Sequence, residues 1–174
     1  MALQENAVSV ATSVPLDEYL NTSYSPDCEY VDGEIVERNL GEAEHSLLQI
    51  LLGAWFVNNR KRLGITAYVE QRVQVKARRF RIPDVTVVVG QGPKKGIIKE
   101  PPFLCIEVLS PDDRQTQVRA KVADYLEFGV SWIWVIDPST KLATIYTAEG
   151  GVEIRDGILT TKNPDITVNL NELE

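Results

Sequence analysis

The spacing of apolar residues predicts two helices, over residues 44–62 and 114–128. In both segments apolar side chains recur every three or four positions, which places them on one helical face. A glycine follows each segment within two residues, as is typical of a helix end. A shorter helical turn is predicted over residues 14–20. The apolar faces comprise Leu47, Leu48, Leu51, Ala54 and Trp55 in the first helix, and Val118, Val122, Tyr125 and Leu126 in the second.

Segments that alternate with a period of two, or that lack polar residues, predict the strands. The pair Asp32-Gly33 favours a tight turn in a hairpin over residues 29–38. Residues 66–75 alternate like one half-buried strand, whereas residues 84–89 and 103–109 are too apolar to be half exposed. The remaining predictions are a loop over residues 90–102 and strands over residues 132–136, 142–147 and 152–155.

The order of these elements predicts a mixed α/β or α+β fold, with a mixed central β-sheet flanked by helices. The segment from residue 103 to residue 136 has the length of a parallel strand–helix–strand crossover. The other strands follow one another as hairpins. With 174 residues and neither a repeat nor a linker, we expect a single domain over residues 1–174, of which residues 1–13 form a loose lead-in.

The composition excludes several classes of protein. One histidine and two distant cysteines cannot supply the clustered ligands of a usual zinc site or a disulfide scaffold. No run reaches the roughly 20 apolar residues that a membrane helix needs. The first 20 residues also lack the basic and apolar regions of a signal peptide. We therefore expect a cytoplasmic protein that does not associate with membranes.

The charge distribution restricts any contact with nucleic acid. The chain has 25 acidic and 18 basic residues and a formal charge of −7, which excludes a polybasic nucleic-acid binder. The balance is uneven, because residues 64–130 hold 11 basic and 8 acidic residues while both flanking segments are acidic. A nucleic-acid contact is therefore expected to be local and to lie in this middle third.

Three charged residues interrupt otherwise apolar segments. Asp84 follows Pro83 at the start of one buried strand, Glu107 lies inside another, and Lys121 lies in the apolar stripe of the second helix. A buried charge without a partner is costly. Each residue has a structural alternative: Asp84 caps a loop, Glu107 forms a buried ion pair, or Lys121 covers apolar surface with its alkyl chain.

Together these three residues predict a hydrolytic site. Two acids at the ends of neighbouring strands repel each other unless a cation lies between them. Mg²⁺, or Mn²⁺ in its place, prefers oxygen ligands and is often held by one or two carboxylates with phosphate and water. A nearby lysine can hold an attacking water or stabilise the developing phosphoryl charge.

With Asp84 after Pro83, then Glu107 and then Lys121, the chain resembles the PD-(D/E)XK nuclease superfamily. More narrowly, it resembles the Uma-two family of restriction endonuclease-like domains common in cyanobacteria. The likeness extends from about Leu16 to the C-terminus. It implies a restriction endonuclease-like PD-(D/E)XK core and metal-dependent hydrolysis of DNA. The segments that carry it are residues 30–34, His45, and residues 81–85, 106–111, 121–125 and 132–138.

The resemblance assigns roles to the central residues. Asp84 and Glu107 would bind the metal, with the carbonyl of Val108 as a further ligand, and Lys121 would be the catalytic lysine. In the wider superfamily the lysine follows the strand acid by two residues. Here that position is Leu109, so the lysine of the helix takes the role.

The resemblance adds two more site residues. Glu34 would help to hold the metal or orient a water, unless it is an ordinary exposed acid of the hairpin. His45 would lie near the site, unless it is a surface residue. A helix N-terminus disfavours imidazolium, so we expect His45 to be neutral at pH 7. Gln117 stands where the family often has an acid, and Tyr125 either lines the site or packs beside it.

Basic clusters provide candidate nucleic-acid contacts, although each is also compatible with a solvated charged surface. The cluster that ends just before Asp84 is expected to lie nearest the site. The candidate contacts are Arg78, Arg79, Arg81, Lys94 and Lys95, with a further basic run at residues 60–62.

Two alternatives to the nuclease remain open. The fold can serve as a catalytically silent module that binds nucleic acid or another protein. The three charged residues can instead form a buried ion network in a structural homodimer. The family resemblance favours a homodimer, but no single residue identifies its interface.

Overall fold

The computed structural model describes residues 13–39 and 41–173, so the predicted lead-in lies outside the described residues except for Ser13. No helix in this part of the chain combines the length and apolar character needed to cross a membrane. The helices are α1 (Leu16–Asn21), α2 (Ala43–Leu63) and α3 (Gln115–Phe128), with a 3₁₀ turn at Leu170–Glu172.

The strands form a six-stranded sheet, a four-stranded sheet and a separate hairpin. In chain order they are β1 (Cys28–Val31), β2 (Glu34–Glu37), β3 (Ile65–Val69), β4 (Val73–Lys76), β5 (Arg79–Arg81), β6 (Val85–Val89), β7 (Leu104–Val108), β8 (Trp132–Ile136), β9 (Ala143–Thr147), β10 (Gly150–Ile154), β11 (Ile158–Thr161) and β12 (Ile166–Asn169). The six-stranded order is β10-β9-β8-β7-β6-β3, the four-stranded order is β2-β1-β5-β4, and β11 pairs with β12.

The six-stranded sheet is mixed, as predicted. Strands β7 and β8 are parallel and are connected by α3, which confirms the predicted crossover. The neighbouring pairs β6–β7, β3–β6, β8–β9 and β9–β10 are antiparallel. The prediction of a mixed central sheet flanked by helices is therefore confirmed.

The two faces of this sheet are covered by different elements. On one face, Leu52 and Phe56 of α2 pack with Trp134 and with side chains of the C-terminal hairpin. On the other face, Tyr125 of α3 packs with Cys105 and the side chains around it. Burial of each large apolar side chain contributes about 1.5–3 kcal/mol. Side chains therefore alternate along β7 between the α2 core and the α3 core.

The structure departs from the sequence prediction at residues 66–75, and the prediction of one strand there is wrong. Strand β3 ends at Val69, Glu70 takes a left-handed conformation with φ of 51°, and β4 begins at Val73 in the other sheet. The alternating pattern continues through this bend because both strands are half buried. The sequence interpretation also omitted β5 and the hairpin β11–β12.

A buried ion network joins the four-stranded sheet to α3. The Arg81 guanidinium donates to Glu29 Oε2 at 2.7 Å and twice to Asp124 Oδ2, at 2.7 and 2.8 Å. Arg79 donates to the other oxygen of Asp124 at 2.7 Å. Arg81 comes from β5, Glu29 from β1 and Asp124 from α3. The network therefore fixes the position of α3 against the strands that carry Glu29 and Arg81.

We expect Arg81→Met to lower the free energy of unfolding by about 3 kcal/mol, because Glu29 and Asp124 lose their shared cation while remaining buried. Chemical denaturation followed by circular dichroism measures the change. The control is Arg155→Met, which removes an ion pair with Glu153 from a side chain that is 77% exposed and should have little effect. Equal losses for the two variants would contradict the expectation.

Candidate active site

Asp84 and Glu107 lie opposite each other at one end of the six-stranded sheet. Val85 pairs with Ile106 in the antiparallel ladder of β6 and β7, and one step further in that register Asp84 faces Glu107. The backbone N–H of Val108 donates to Asp84 Oδ2 at 2.7 Å. Asp84 is 3% exposed and Glu107 is 6% exposed. Opposed like charges are destabilising, so this position requires neighbouring cations.

The side chains of an arginine and a histidine approach Asp84. Arg38 Nη2 donates to Asp84 Oδ1 at 2.6 Å, and His45 Nε2 lies 3.4 Å from Oδ2. Burial by itself raises the pKa of Asp84, but His45, Arg38 and the N–H of Val108 outweigh it and hold the pKa below its ordinary value. Asp84 is therefore a carboxylate at neutral pH.

His45 is the third residue of α2, and its side chain points into the protein towards Asp84. The contact with Asp84 raises the pKa of His45 above its ordinary value, although burial opposes this effect. We expect the helix N-terminus to disfavour the imidazolium, whereas the adjacent carboxylate favours it, and a neutral His45 at pH 7 stays a prediction. His45 Nδ1 is buried and has no hydrogen-bond partner within the described ranges.

Lys121 and Tyr125 of α3 hold Glu107. Lys121 Nζ donates to Glu107 Oε2 at 2.8 Å, and the Tyr125 hydroxyl donates to Oε1 at 2.5 Å. Burial raises the pKa of Glu107, and the charges of Asp84 and Glu29 raise it further while Lys121 opposes them. Burial lowers the pKa of Lys121, but Glu107 and Glu29 outweigh burial and raise it. Lys121 is therefore a protonated ammonium group.

Glu29 is a third buried carboxylate that the sequence interpretation missed. It is 1% exposed, and its Oε1 lies 3.5 Å from Lys121 Nζ and accepts the N–H of Ile82 at 3.1 Å. The sign that marked Glu107, an acid among apolar strand neighbours, is also present at Glu29 between Cys28 and Tyr30. It was overlooked because hairpin strands commonly expose one polar face.

Arg38 was also missed, and its sequence context gives no signal for it. It follows β2 in a polar segment, where an arginine is ordinarily solvated. In the structure Arg38 bridges two acids, because its Nη1 lies 3.2 Å from Glu70 and its Nη2 contacts Asp84. The turn at Glu70 that interrupts the predicted strand thus places a carboxylate beside Arg38.

One cleft of about 230 Å³ is lined by most of these groups, namely Glu29, Arg38, His45, Asp84, Glu107 and Lys121, whereas Tyr125 packs beside it. Its walls come from the hairpin β1–β2, the segment before α2, the end of β7 and the N-terminal half of α3. Leu109 and Gln117 also line it, at the two positions where the resemblance implies a lysine and an acid in other members. The cleft therefore brings together Asp84, Glu107 and Lys121, which the sequence had singled out.

Glu34 is not brought into the cleft. It is an exposed residue at the start of β2, paired with Val31 at the tip of the hairpin. Glu37, at the other end of β2, lines the cleft instead. The hairpin thus contributes Glu29 and Glu37 to the cleft, while Glu34 lies beyond its edge.

Two of the predicted phosphate contacts already bind carboxylates. Arg81 lines the cleft but is 6% exposed and is bound by Glu29 and Asp124. Arg79 contacts Asp32 as well as Asp124. Their charges are therefore compensated within the protein.

The other three predicted phosphate contacts lie outside the cleft. Arg78 is exposed, and its guanidinium lies 3.3 Å from the hydroxyl of Tyr30. Lys94 and Lys95 are exposed in the loop that follows β6, at the end of that strand opposite to Asp84. Any phosphate contact from Lys94 and Lys95 would be remote from the carboxylates.

The donor set suits a hard divalent cation with few protein ligands. An ionised carboxylate offers about four lone-pair sites, and Asp84 and Glu107 each engage three or fewer through protein donors. Among the described residues, no group of three or more His, Cys, Asp and Glu side chains is arranged to hold a metal. Two carboxylates completed by water and phosphate is the arrangement that Mg²⁺ commonly takes.

Comparisons with known proteins agree with this fold. A family model described as "Uma2: Putative restriction endonuclease" matches residues 16–170. The solved structure of a "putative nuclease belonging to DUF820" from Anabaena variabilis ATCC 29413 is 22% identical, with a TM-score of 0.78 over 92% of this chain and 97% of that chain. At that identity the likeness shows the fold. No curated protein matches the chain. The family model covers most of the sequence and confirms the resemblance drawn from its motifs: the chain belongs to the Uma2 family.

Proposed function

We propose that the protein hydrolyses phosphodiester bonds of DNA in a reaction that requires a divalent metal. The observation that carries the proposal is the opposition of Asp84 and Glu107 in one cleft, with Lys121 Nζ 2.8 Å from Glu107. The description of the family as a restriction endonuclease favours DNA as the substrate. This geometry provides the oxygen ligands and the positive charge that phosphodiester hydrolysis needs.

The two carboxylates and the lysine have separate roles. Asp84 and Glu107 would hold Mg²⁺ or Mn²⁺, which when bound supplies positive charge for the developing phosphoryl oxyanion. Lys121 donates hydrogen bonds, because its ammonium is kept protonated by Glu107 and Glu29. It would therefore orient the attacking water or stabilise phosphate oxygens, and it would not act as the base that removes a proton.

Substrate binding must overcome the acidity of the chain. Arg79 and Arg81 already neutralise carboxylates, so we do not assign them phosphate contacts. Such contacts from Arg78, Lys94 and Lys95 remain predictions, and they would be weakened by salt. In the cytoplasm such an enzyme has access to cellular DNA. A homodimer with two-fold symmetry would present one cleft to each strand of a duplex.

We expect Asp84→Ala and Glu107→Ala each to reduce Mg²⁺-dependent cleavage of supercoiled plasmid by about 100-fold or more, because each removes a metal ligand. Lys121→Met should reduce cleavage comparably while leaving the carboxylates in place. Conversion of supercoiled to nicked and linear plasmid, with Mg²⁺, Mn²⁺ and EDTA compared, measures the rates.

The matched control is Glu100→Ala, which removes an exposed acid outside the cleft and should leave cleavage unchanged. Wild-type cleavage that persists in EDTA, or that survives both carboxylate substitutions, would overturn the proposal. If the protein cleaves RNA but not DNA, the proposed substrate is wrong and the proposed metal-dependent hydrolysis stands.

A specific observation favours a second candidate, a catalytically silent module that binds nucleic acid or protein. Every oxygen of Asp84 and Glu107 already contacts a protein donor or cation. In such a module the ion pairs would replace a metal permanently. Metal binding separates the two candidates, because the nuclease requires it and the module does not.

We expect Arg38→Leu to tighten Mn²⁺ binding by about tenfold, equivalent to about 1.4 kcal/mol. The guanidinium on Asp84 competes with a bound cation, and its removal leaves the carboxylate free to bind metal. Isothermal titration calorimetry with Mn²⁺ measures the affinity, and circular dichroism confirms that the variant is folded.

Lys95→Leu is the control, because it removes the same charge from an exposed loop outside the cleft. It should leave Mn²⁺ affinity unchanged. If neither the wild type nor Arg38→Leu binds Mn²⁺, the silent module is the better description of the protein.

A further inference from the structure

Helix α2 has two opposite apolar faces. One is buried against the six-stranded sheet through residues such as Leu52 and Phe56. On the opposite face, Leu47 is 59% exposed, Ile50 62% and Val57 43%. Amphipathic surface helices ordinarily carry polar residues on the side away from the core. A row of exposed aliphatic side chains there indicates a surface that another molecule covers.

The exposed row has the spacing of a helix–helix seam. Steps of four and three residues separate Ala43, Leu47, Ile50, Ala54 and Val57, which are all exposed. This is the spacing with which two helices pack along a coiled-coil seam. The small side chain at Ala54 allows a second helix to approach closely near the middle of the row.

A neighbouring side chain of strand β3 widens the apolar surface. Val69 is 51% exposed and lies beside α2, where a Cβ added at Gly53 would stand 3.3 Å from its Cγ1. Strand β3 is also an edge of the six-stranded sheet. The row on α2 and Val69 together form one surface, which we call the α2 face.

Charges at the two ends of α2 make this face complementary to itself. Glu44 lies at the N-terminal end, while Arg60, Lys61 and Arg62 lie at the C-terminal end, and all four are exposed. Lys61 continues the exposed row by a further step of four, so in an antiparallel pair of α2 helices centred near Leu52, Glu44 of each copy would face Lys61 of the other. In a parallel pair like charges would meet, which disfavours that arrangement.

The same two-fold arrangement matches the apolar side chains by size. Leu47 of one copy would pack against Val57 of the other, and Ile50 against Ala54. A large residue thus meets a small one at the centre, as close helix packing requires. An isologous interface needs this self-complementarity, because one surface serves both copies.

We propose that a second copy of this chain docks on the α2 face, with the two α2 helices antiparallel. The proposal rests on the homodimer included in the proposed function and does not depend on catalysis. Because His45 lies on the opposite side of the helix, both clefts stay open in the dimer. They would lie about 20 Å apart along the helix axis, from the 1.5 Å rise per residue.

Sedimentation velocity over roughly 1–100 µM protein, a range that brackets dissociation constants typical of small interfaces, tests the interface. The wild type should dimerise, and Ile50→Glu should be monomeric because it places two charges in the seam. The control is Val152→Glu on β10, at the other edge of the sheet, where the side chain is 63% exposed. It should dimerise like the wild type.

Charge reversal tests the antiparallel register. Glu44→Lys and Lys61→Glu should each weaken dimerisation about fivefold, and the double variant should recover it, because the pair is restored with its signs exchanged. A wild type that is monomeric throughout, an Ile50→Glu variant that still dimerises, or a double variant weaker than both single variants would overturn the proposal.

Plasmid cleavage distinguishes failure of this proposal from failure of the proposed function. If the wild type cleaves plasmid but sediments only as a monomer, the proposed interface is wrong and the proposed nuclease function stands. If the protein forms a dimer that requires the α2 face but neither binds Mn²⁺ nor cleaves DNA, the proposed nuclease function is wrong and the interface stands.

Discussion

Mutual repulsion among three buried carboxylates is the constraint on which the rest of the site depends. Glu29, Asp84 and Glu107 are between 1% and 6% exposed, and all three line one cleft. Withdrawing a charge from water costs several kcal/mol unless a partner compensates for it. The fold meets this cost by bringing a different cation to each acid: Arg81 to Glu29, Arg38 to Asp84 and Lys121 to Glu107.

Each cation comes from a different part of the fold, so assembly of the site and assembly of the fold are one process. Arg81 belongs to the four-stranded sheet, Lys121 to α3, and Arg38 to the segment that precedes α2. The register between β6 and β7 brings Asp84 and Glu107 together, and the packing of the four-stranded sheet, of the segment before α2 and of α3 brings the cations that offset their repulsion. A metal bound to Asp84 and Glu107 would have to compete with these same cations.

Local pattern was sufficient to find the residues that break it. Asp84, Glu107 and Lys121 interrupt apolar segments, and the structure places all three in the cleft. Glu29 and Arg38 depend on which elements meet in space, because an acid in a hairpin and an arginine in a polar segment look ordinary in sequence. The bend at residue 70 was not predicted, because both flanking strands keep the alternation of a half-buried strand.

Because Lys121 is carried by a helix, its contact with Glu107 can open while the six-stranded sheet stays folded. Both carboxylates of the proposed metal site belong to the sheet, while the ammonium belongs to α3, which is held by its apolar face and by Asp124. Local opening of one helix requires less free energy than global unfolding. A brief release of α3 would therefore withdraw the lysine from an otherwise intact pair of carboxylates, and would interrupt the proposed hydrolysis without disassembling the sheet.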